Sequence, residues 1–359
     1  MGVVVYHARS MAGVLTTDAA SAWFHAAAFW GQYGVWLFFV VSGFCIHLQW
    51  AVRARNGDLS PPRFLAFWRR RWVRLYPPYL AALAIYVGLH YLNGAAFTSR
   101  WLTTIGWHVL LIQNIDPAAL NAINEVFWTL AVEEQLYLLY FVLLPVRIRY
   151  GWPAAIAMAA LARVGWFVLA ALIHRLWNVD IIVTQSAMAQ WIVWVLGALS
   201  VEVWCGMVSV PEVFRHKAAA ALLPIGAAFT TYVYLYMVEP GTVRDVLWLT
   251  TDYVWGLAFF AVINWSVRQE STRAPLGGVL ARVGLFSYSL YLSHEIVTHT
   301  VWPALRALAP GSVPAIALIP AGLCASLAFA WLFFVCLERP FLRRGHAGAI
   351  ASSVQQLGA

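Results

Sequence analysis

Charge is scarce in this sequence. Only 11% of its 359 residues are charged and 62% are hydrophobic, against roughly 25% and 45–50% in an ordinary soluble domain. That shortage excludes a soluble fold, which could not bury so much apolar surface. Cysteine is also sparse: Cys45, Cys205, Cys324 and Cys336 lie in apolar runs without ligand-like spacing. Neither a disulfide framework nor a metal site is expected, and the four read as small buried hydrophobes. There is no internal repeat, no low-complexity linker and no loop long enough to hold a soluble domain. One transmembrane domain over 1–345 with a short cytoplasmic tail at 346–359 is therefore expected. The net charge of +8 does not imply nucleic acid, because the basic residues fall in short loops between apolar runs, where a membrane protein keeps its cytoplasmic positive charge.

The sequence is rich instead in apolar runs of about 20 residues, the length at which a helix crosses a hydrocarbon layer roughly 30 Å thick. Ten such runs can be drawn, at 3–16, 32–51, 76–93, 126–146, 153–173, 187–207, 219–237, 247–265, 284–303 and 314–337. The predicted fold class is all-α, a polytopic integral membrane bundle of about ten transmembrane helices. A shorter semi-apolar piece, 101–113, reads as an interfacial or re-entrant helix. With both termini in the cytoplasm, 17 of the 23 Lys and Arg residues fall in the inner segments 52–75, 147–152, 206–218, 266–283 and 338–359. Only Arg100, Arg175, Arg244 and Arg306 fall outside. That asymmetry favours this topology. Trp36, Trp50, Trp101 and Trp128 fall near the proposed interfaces, as aromatic belts do. The first run starts at residue 3 without a polar cap, so the chain reads as beginning partway through a helix. It does not read as a signal peptide, since MGVVVYHARS has no basic n-region and interrupts any apolar core with His7 and Arg9.

Ionisable groups inside spans are costly and become functional candidates by default. They are His7, Arg9, His47, Glu133, Glu134, Arg163, Glu202, Asp252, His294 and Glu295, with Asn264 as a neutral polar addition. Four patterns carry chemistry. His7 in VVVYHARS offers an imidazole that can take a proton near neutral pH, as a general base must. It could equally be a histidine hydrogen-bonded to a neighbouring helix. The run RFLAFWRRRWVRLYPPYL at 63–80 places Arg70 or Arg71 on one helical face with Arg74, and two such guanidinium forks suit phosphate groups; a positive-inside anchor is the plainer reading. Pro77 and Pro78 would then open the third span. In NEVFWTLAVEEQLYLLYFVLLP at 124–145, Glu133 and Glu134 stand about a third of the way in from the outer face. Adjacent helical residues point about 100° apart, so only one is expected to face a given cavity, and the sequence does not choose. GLFSYSLYLSHEIV at 284–297 sets Ser287, Tyr288 and Ser289 near the inner face, as hydroxyls that bridge helices, and His294 near mid-membrane.

Five stretches in order resemble the acyltransferase-3 family of membrane O-acyltransferases. They are FFVVSGFCI at 38–46, RRRWVRLYPPYL, FWTLAVEEQLYLLYFVLLP, FSYSLYLSH and the closing ERPF at 338–341. The resemblance implies transfer of an acyl group, most often acetyl, from cytoplasmic acyl-CoA to a hydroxyl of a sugar or cell-surface glycan across a bacterial inner membrane. Acyl-CoA is then a co-substrate, with no permanently bound cofactor, and the partners are a glycan or lipid-linked sugar and membrane lipids. The family's first-helix histidine falls on His7, its Arg-x-x-Arg pair on Arg71 and Arg74, and its acidic motif on Glu133 and Glu134. The basic residue that the family carries about eleven positions before the histidine falls before Met1. This implies a start assigned too late or a truncated chain.

The expected mechanism has Arg70, Arg71 and Arg74 holding the CoA phosphates and His7 deprotonating the acceptor. Glu133 or Glu134 would orient the imidazole, and His294 would complete the site. A secondary transporter is the rival from another class, weakened by the lack of correspondence between the two halves of the chain. An inactive truncated scaffold is the third reading.

Overall fold

The computed structural model describes residues 2–12, 24, 26–269, 275–308 and 315–342. The tail at 346–359 and the side chain of Arg9 lie outside the described residues. Among the described residues all regular structure is helical. We label the helices α1 (Gly2–Ala12), α2 (Gly34–Arg55), α3 (Phe64–Leu92), α4 (Ser99–Val109), α5 (Trp128–Trp177), α6 (Ala187–Trp204), α7 (Lys217–Tyr232), α8 (Thr242–Ser266), α9 (Pro275–Leu285), α10 (Ser287–Leu308) and α11 (Ala315–Phe333). Over its described residues each of the ten apolar runs lies mainly on one of these helices, and α4, with 11 residues, is too short to cross a bilayer. Six helical stretches are long and apolar enough to do so: Ala26–Arg55, Trp128–Trp177, Ala187–Trp204, Lys217–Met237, Thr242–Ser266 and Ala317–Phe341.

The 50-residue α5 is two helices in one. Gly151 breaks it, with φ 79° and ψ −178°, a left-handed region that glycine enters without steric cost. Contacts with α6 fix the direction of the two arms. Along the first arm Tyr140 stacks near Trp194 and Arg147 reaches Glu202; along the second Trp152 donates to Glu202 and Arg163 to the carbonyl of Ala189. One arm runs with α6 and the other against it, so α5 is a hairpin folded at Gly151.

At its core α2 crosses α6 at backbone contact. A Cβ added at Gly43 would lie 2.0 Å from the Trp194 carbonyl oxygen, and one at Gly197 would lie 1.9 Å from that of Val40. Small residues that admit such an approach are how helices associate where lipid removes the hydrophobic drive. Gly197→Leu is accordingly expected to destabilise the bundle by at least the 1–3 kcal/mol typical of overpacking. An unchanged melting temperature in detergent would contradict that contact.

Three sequence expectations change. The arginine run is helical, not loop, because Phe67 and Trp68 pack on Tyr137, Tyr140 and Phe141 of α5 and extend α3 back to Phe64. Pro77 and Pro78 thus lie inside α3, where each removes a backbone hydrogen bond. Only Cys205 is buried; Cys45, Cys324 and Cys336 are exposed on the outside of the bundle, where hydrocarbon suits a thiol as well as a core does. Trp36 and Trp50 turn inward from the expected belt. Trp36 donates 2.9 Å to Asp252 and Trp50 is fully buried beside His47.

Candidate active site

Most of the intramembrane charge is spent on holding helices together. Arg163 on the second arm of α5 reaches Asp252 of α8 at 2.6 Å, and also bonds the carbonyls of Ala189 and Leu249. Gln190 and Trp36 complete the Asp252 carboxylate. Glu202 takes Arg147 in a two-pronged contact at 2.7 and 2.5 Å, Trp152 at 2.9 Å and His47 at 2.9 Å. Asn264 bonds Ser200 and the Phe260 carbonyl. Each of the buried charges Arg163, Asp252, Arg147 and Glu202 is paired, as buried charge requires.

The remaining candidates form two clusters along α10. The lower one surrounds Tyr288, whose hydroxyl donates 2.9 Å to the carbonyl of Leu75 in the turn just before Pro77. Ser289, beside it, donates 2.5 Å to Glu338 of the ERPF sequence. Both hydroxyls bridge elements, as the sequence suggests; Ser287 bonds only the carbonyl of Gly284. Glu133 and Glu134 together with Tyr76, Tyr79 and Tyr288 line one narrow crevice. Both acids therefore border the same space. They differ in their constraints. Glu133 is buried and accepts from Ser42 at 2.7 Å and from Tyr137, whereas Glu134 is half-buried. At the mouth, Arg71 lays its guanidinium over the rings of Phe67 and Tyr137, at 5.6 and 5.5 Å. Arg70 and Arg74 are exposed. Among the described residues, none of the three arginines is in an ion pair with an acid, which leaves their donors available to an anion.

The upper cluster begins about two turns further along α10. Glu295 puts Oε1 3.0 Å from Nδ1 of His7, although that oxygen accepts no aligned hydrogen bond. The His7 side chain is 13% exposed and that of Glu295 only 2%. His294 meets His7 edge-on with ring centroids 5.2 Å apart. Its Nδ1 lies 3.1 and 2.9 Å from the carbonyls of Leu290 and Tyr291. Carbonyls only accept, so Nδ1 carries the hydrogen and Nε2 is the bare nitrogen. That Nε2 is buried and has no partner among the described residues.

Glu295 is held in place by the start of α5. The Asn124 carboxamide donates to its Oε2, as does the backbone N–H of Glu125 at 3.3 Å. The Asn124 Oδ1 meanwhile accepts from the N–H groups of Val126 and Phe127 at 2.9 and 3.0 Å. One side chain thus closes the turn that leads into α5 and fixes the acid that faces His7. Tyr291, one turn before Glu295, bonds both Thr129 and the Val126 carbonyl and ties α10 to the same corner.

The sequence matches the acyltransferase-domain family over residues 1–335. The chain belongs to the acyltransferase-3 family. No curated protein and no solved structure gives a match.

Within this acyltransferase-3 chain the expected site residues are only partly brought together. His7 and His294 meet. Glu133 and Glu134 sit instead at the level of Tyr288, six residues or about 9 Å along α10 from His294, with Arg71 near by. The carboxylate against His7 is Glu295, a residue recognisable beforehand only as an acid inside a span. His7, His294 and Glu295 also offer ligand atoms that all lie within 4.8 Å of one another, a grouping able to hold a metal ion where the sequence leads one to expect no metal site.

Proposed function

We propose that this membrane protein transfers an acyl group, the acetyl of acetyl-CoA, to a hydroxyl on a sugar or cell-surface glycan at the other side of a bacterial inner membrane. The observation that carries the reading is the His7–Glu295 pair, set between a cationic end and an open polar end of the same bundle. Ten crossings with both termini in the cytoplasm accord with the ten helical runs, the α5 hairpin and the distribution of basic residues. On that topology Arg71 and Arg74 face the cytoplasm and the end of α3 faces outward. Arg71 and His90 are 19 residues apart on α3, about 28 Å, close to the thickness of the hydrocarbon layer.

Arg71 and Arg74 bind the phosphates of the donor by charge-assisted hydrogen bonds, and Arg70 adds charge at the same mouth. The pantetheine arm passes the crevice at Glu133, Glu134 and Tyr288 and brings the thioester up to the imidazoles. His7 takes the proton of the acceptor hydroxyl. The oxygen attacks the thioester carbonyl, the C–S bond breaks, and the CoA thiolate leaves with the proton His7 returns. Glu295 stabilises the imidazolium between those steps. His294 presents its bare Nε2 beside His7 as an acceptor for the same hydroxyl.

The test is release of CoA thiol, with transfer of labelled acetyl, by purified protein in detergent. Arg71→Ala and Arg74→Ala are each expected to raise KM for acetyl-CoA roughly tenfold to a hundredfold, the worth of a hydrogen bond to a charged group, with kcat little changed. An unaltered KM in the double variant would remove the phosphate assignment.

A further inference from the structure

Above Glu295 the bundle opens into a cavity of about 340 Å³, at the low end of the range for small-molecule sites. Its floor is Glu295 itself, so whatever fills it lies against the carboxylate that faces His7. Asn93 and Asn121 both line it, and neither carboxamide has a hydrogen-bond partner among the described residues. Each offers two donors and an acceptor. His90 donates from Nε2 to the Ile123 carbonyl at 3.1 Å, which leaves Nδ1 as an acceptor toward the space. His299 and Glu125 complete the rim. Two carboxylates thus border the cavity, and no Lys or Arg lines it among the described residues.

Resting on the acyl-transfer reading above, we infer that this cavity is the acceptor site and that it selects an uncharged polyhydroxylated ring, roughly one sugar unit, against the same ring bearing a carboxylate. Carboxamides and imidazoles that both donate and accept match vicinal hydroxyls, each of which also does both. An anionic ring would lie between Glu125 and Glu295 with no cation to pair it, and like-charge juxtaposition of that kind rejects a partner. The ring hydroxyl that points down to Glu295 is the one placed for His7. Acceptor choice then resides in Asn93, Asn121 and Glu125, which play no part in holding the donor.

The experiment uses the purified full chain with labelled acetyl-CoA and two sets of probes at equal concentration: methyl hexosides of several configurations, and the corresponding methyl uronosides. Transfer to at least one neutral hexoside is expected, at ten times or more the rate of its uronoside. Glu125→Lys is expected to narrow that preference at least fivefold, a gain for the uronoside that a misfolded variant cannot produce. Asn121→Trp, which fills the space, is expected to cut transfer to the hexoside at least tenfold while the melting profile in detergent is kept. Equal or better use of uronosides, or undiminished transfer by a folded Asn121→Trp, overturns the inference. So does His7-dependent thiol release without transfer to any hexoside. Absence of thiol release from the wild-type protein is the separate result that would remove the acyl-transfer reading itself.

Discussion

His7→Ala is expected to lower kcat for acyl transfer by about 10² to 10⁴, the usual contribution of a positioned general base. KM for acetyl-CoA is expected to stay near its wild-type value, since in the proposed reading the donor is held some distance below by Arg71 and Arg74. The surroundings of the ring set the size of the effect. Glu295 lies 3.0 Å from Nδ1 and is itself fixed by Asn124 and the Glu125 backbone, so the acid stands beside the imidazole before substrate arrives. Glu295→Gln should cost less than loss of the base, because the carboxamide keeps the ring oriented but no longer stabilises its cation. Steady-state rates with saturating donor check both variants. An equal fall for Glu133→Gln and Glu295→Gln in kcat alone would mean that the two acids act on the same ring, contrary to their separation along α10.

The second large effect concerns the fold. Glu202→Ala is expected to destabilise the protein by about 3–5 kcal/mol, the cost of removing one partner from a buried ionic cluster. The loss strands Arg147, which gives Glu202 two hydrogen bonds, and leaves His47 and Trp152 without their acceptor. These groups come from α2, from both arms of α5 and from α6, so the α5 hairpin loses its tie at the turn. Denaturant or thermal unfolding in detergent measures the change. Survival at wild-type stability would show that the cluster is solvated and its charges individually content.

How far the sequence can be read varies with the range of the interaction concerned. The helices are legible because each apolar run is a local property, and the break at 147–152 between two runs foreshadows the α5 hairpin. The arginine run reads as a loop in sequence because its helical state depends on Phe67 and Trp68 finding aromatic partners on α5, a contact far away in the chain. His7 and His294 can be picked out singly as expensive groups in apolar surroundings. That they touch cannot, since α1 and α10 stand at opposite ends of the sequence. Glu295 is equally visible and equally without a role: what distinguishes it from Glu133 is proximity to His7, which no spacing rule supplies. The same holds for the many intramembrane ions that are structural. Arg163 and Glu202 look as functional as His7 in sequence, and only their complete sets of partners remove them.

The central claim is that the donor is held at the arginine end, the acceptor at the Asn93 and Asn121 end, and that His7 joins them between. Proteoliposomes with the protein in one orientation test it most directly, with labelled acetyl-CoA confined to the face that carries Arg71 and Arg74 and the acceptor sugar confined to the other. The account predicts label on the acceptor, at a rate that collapses in His7→Ala. Label appearing only when donor and acceptor share a face would contradict it.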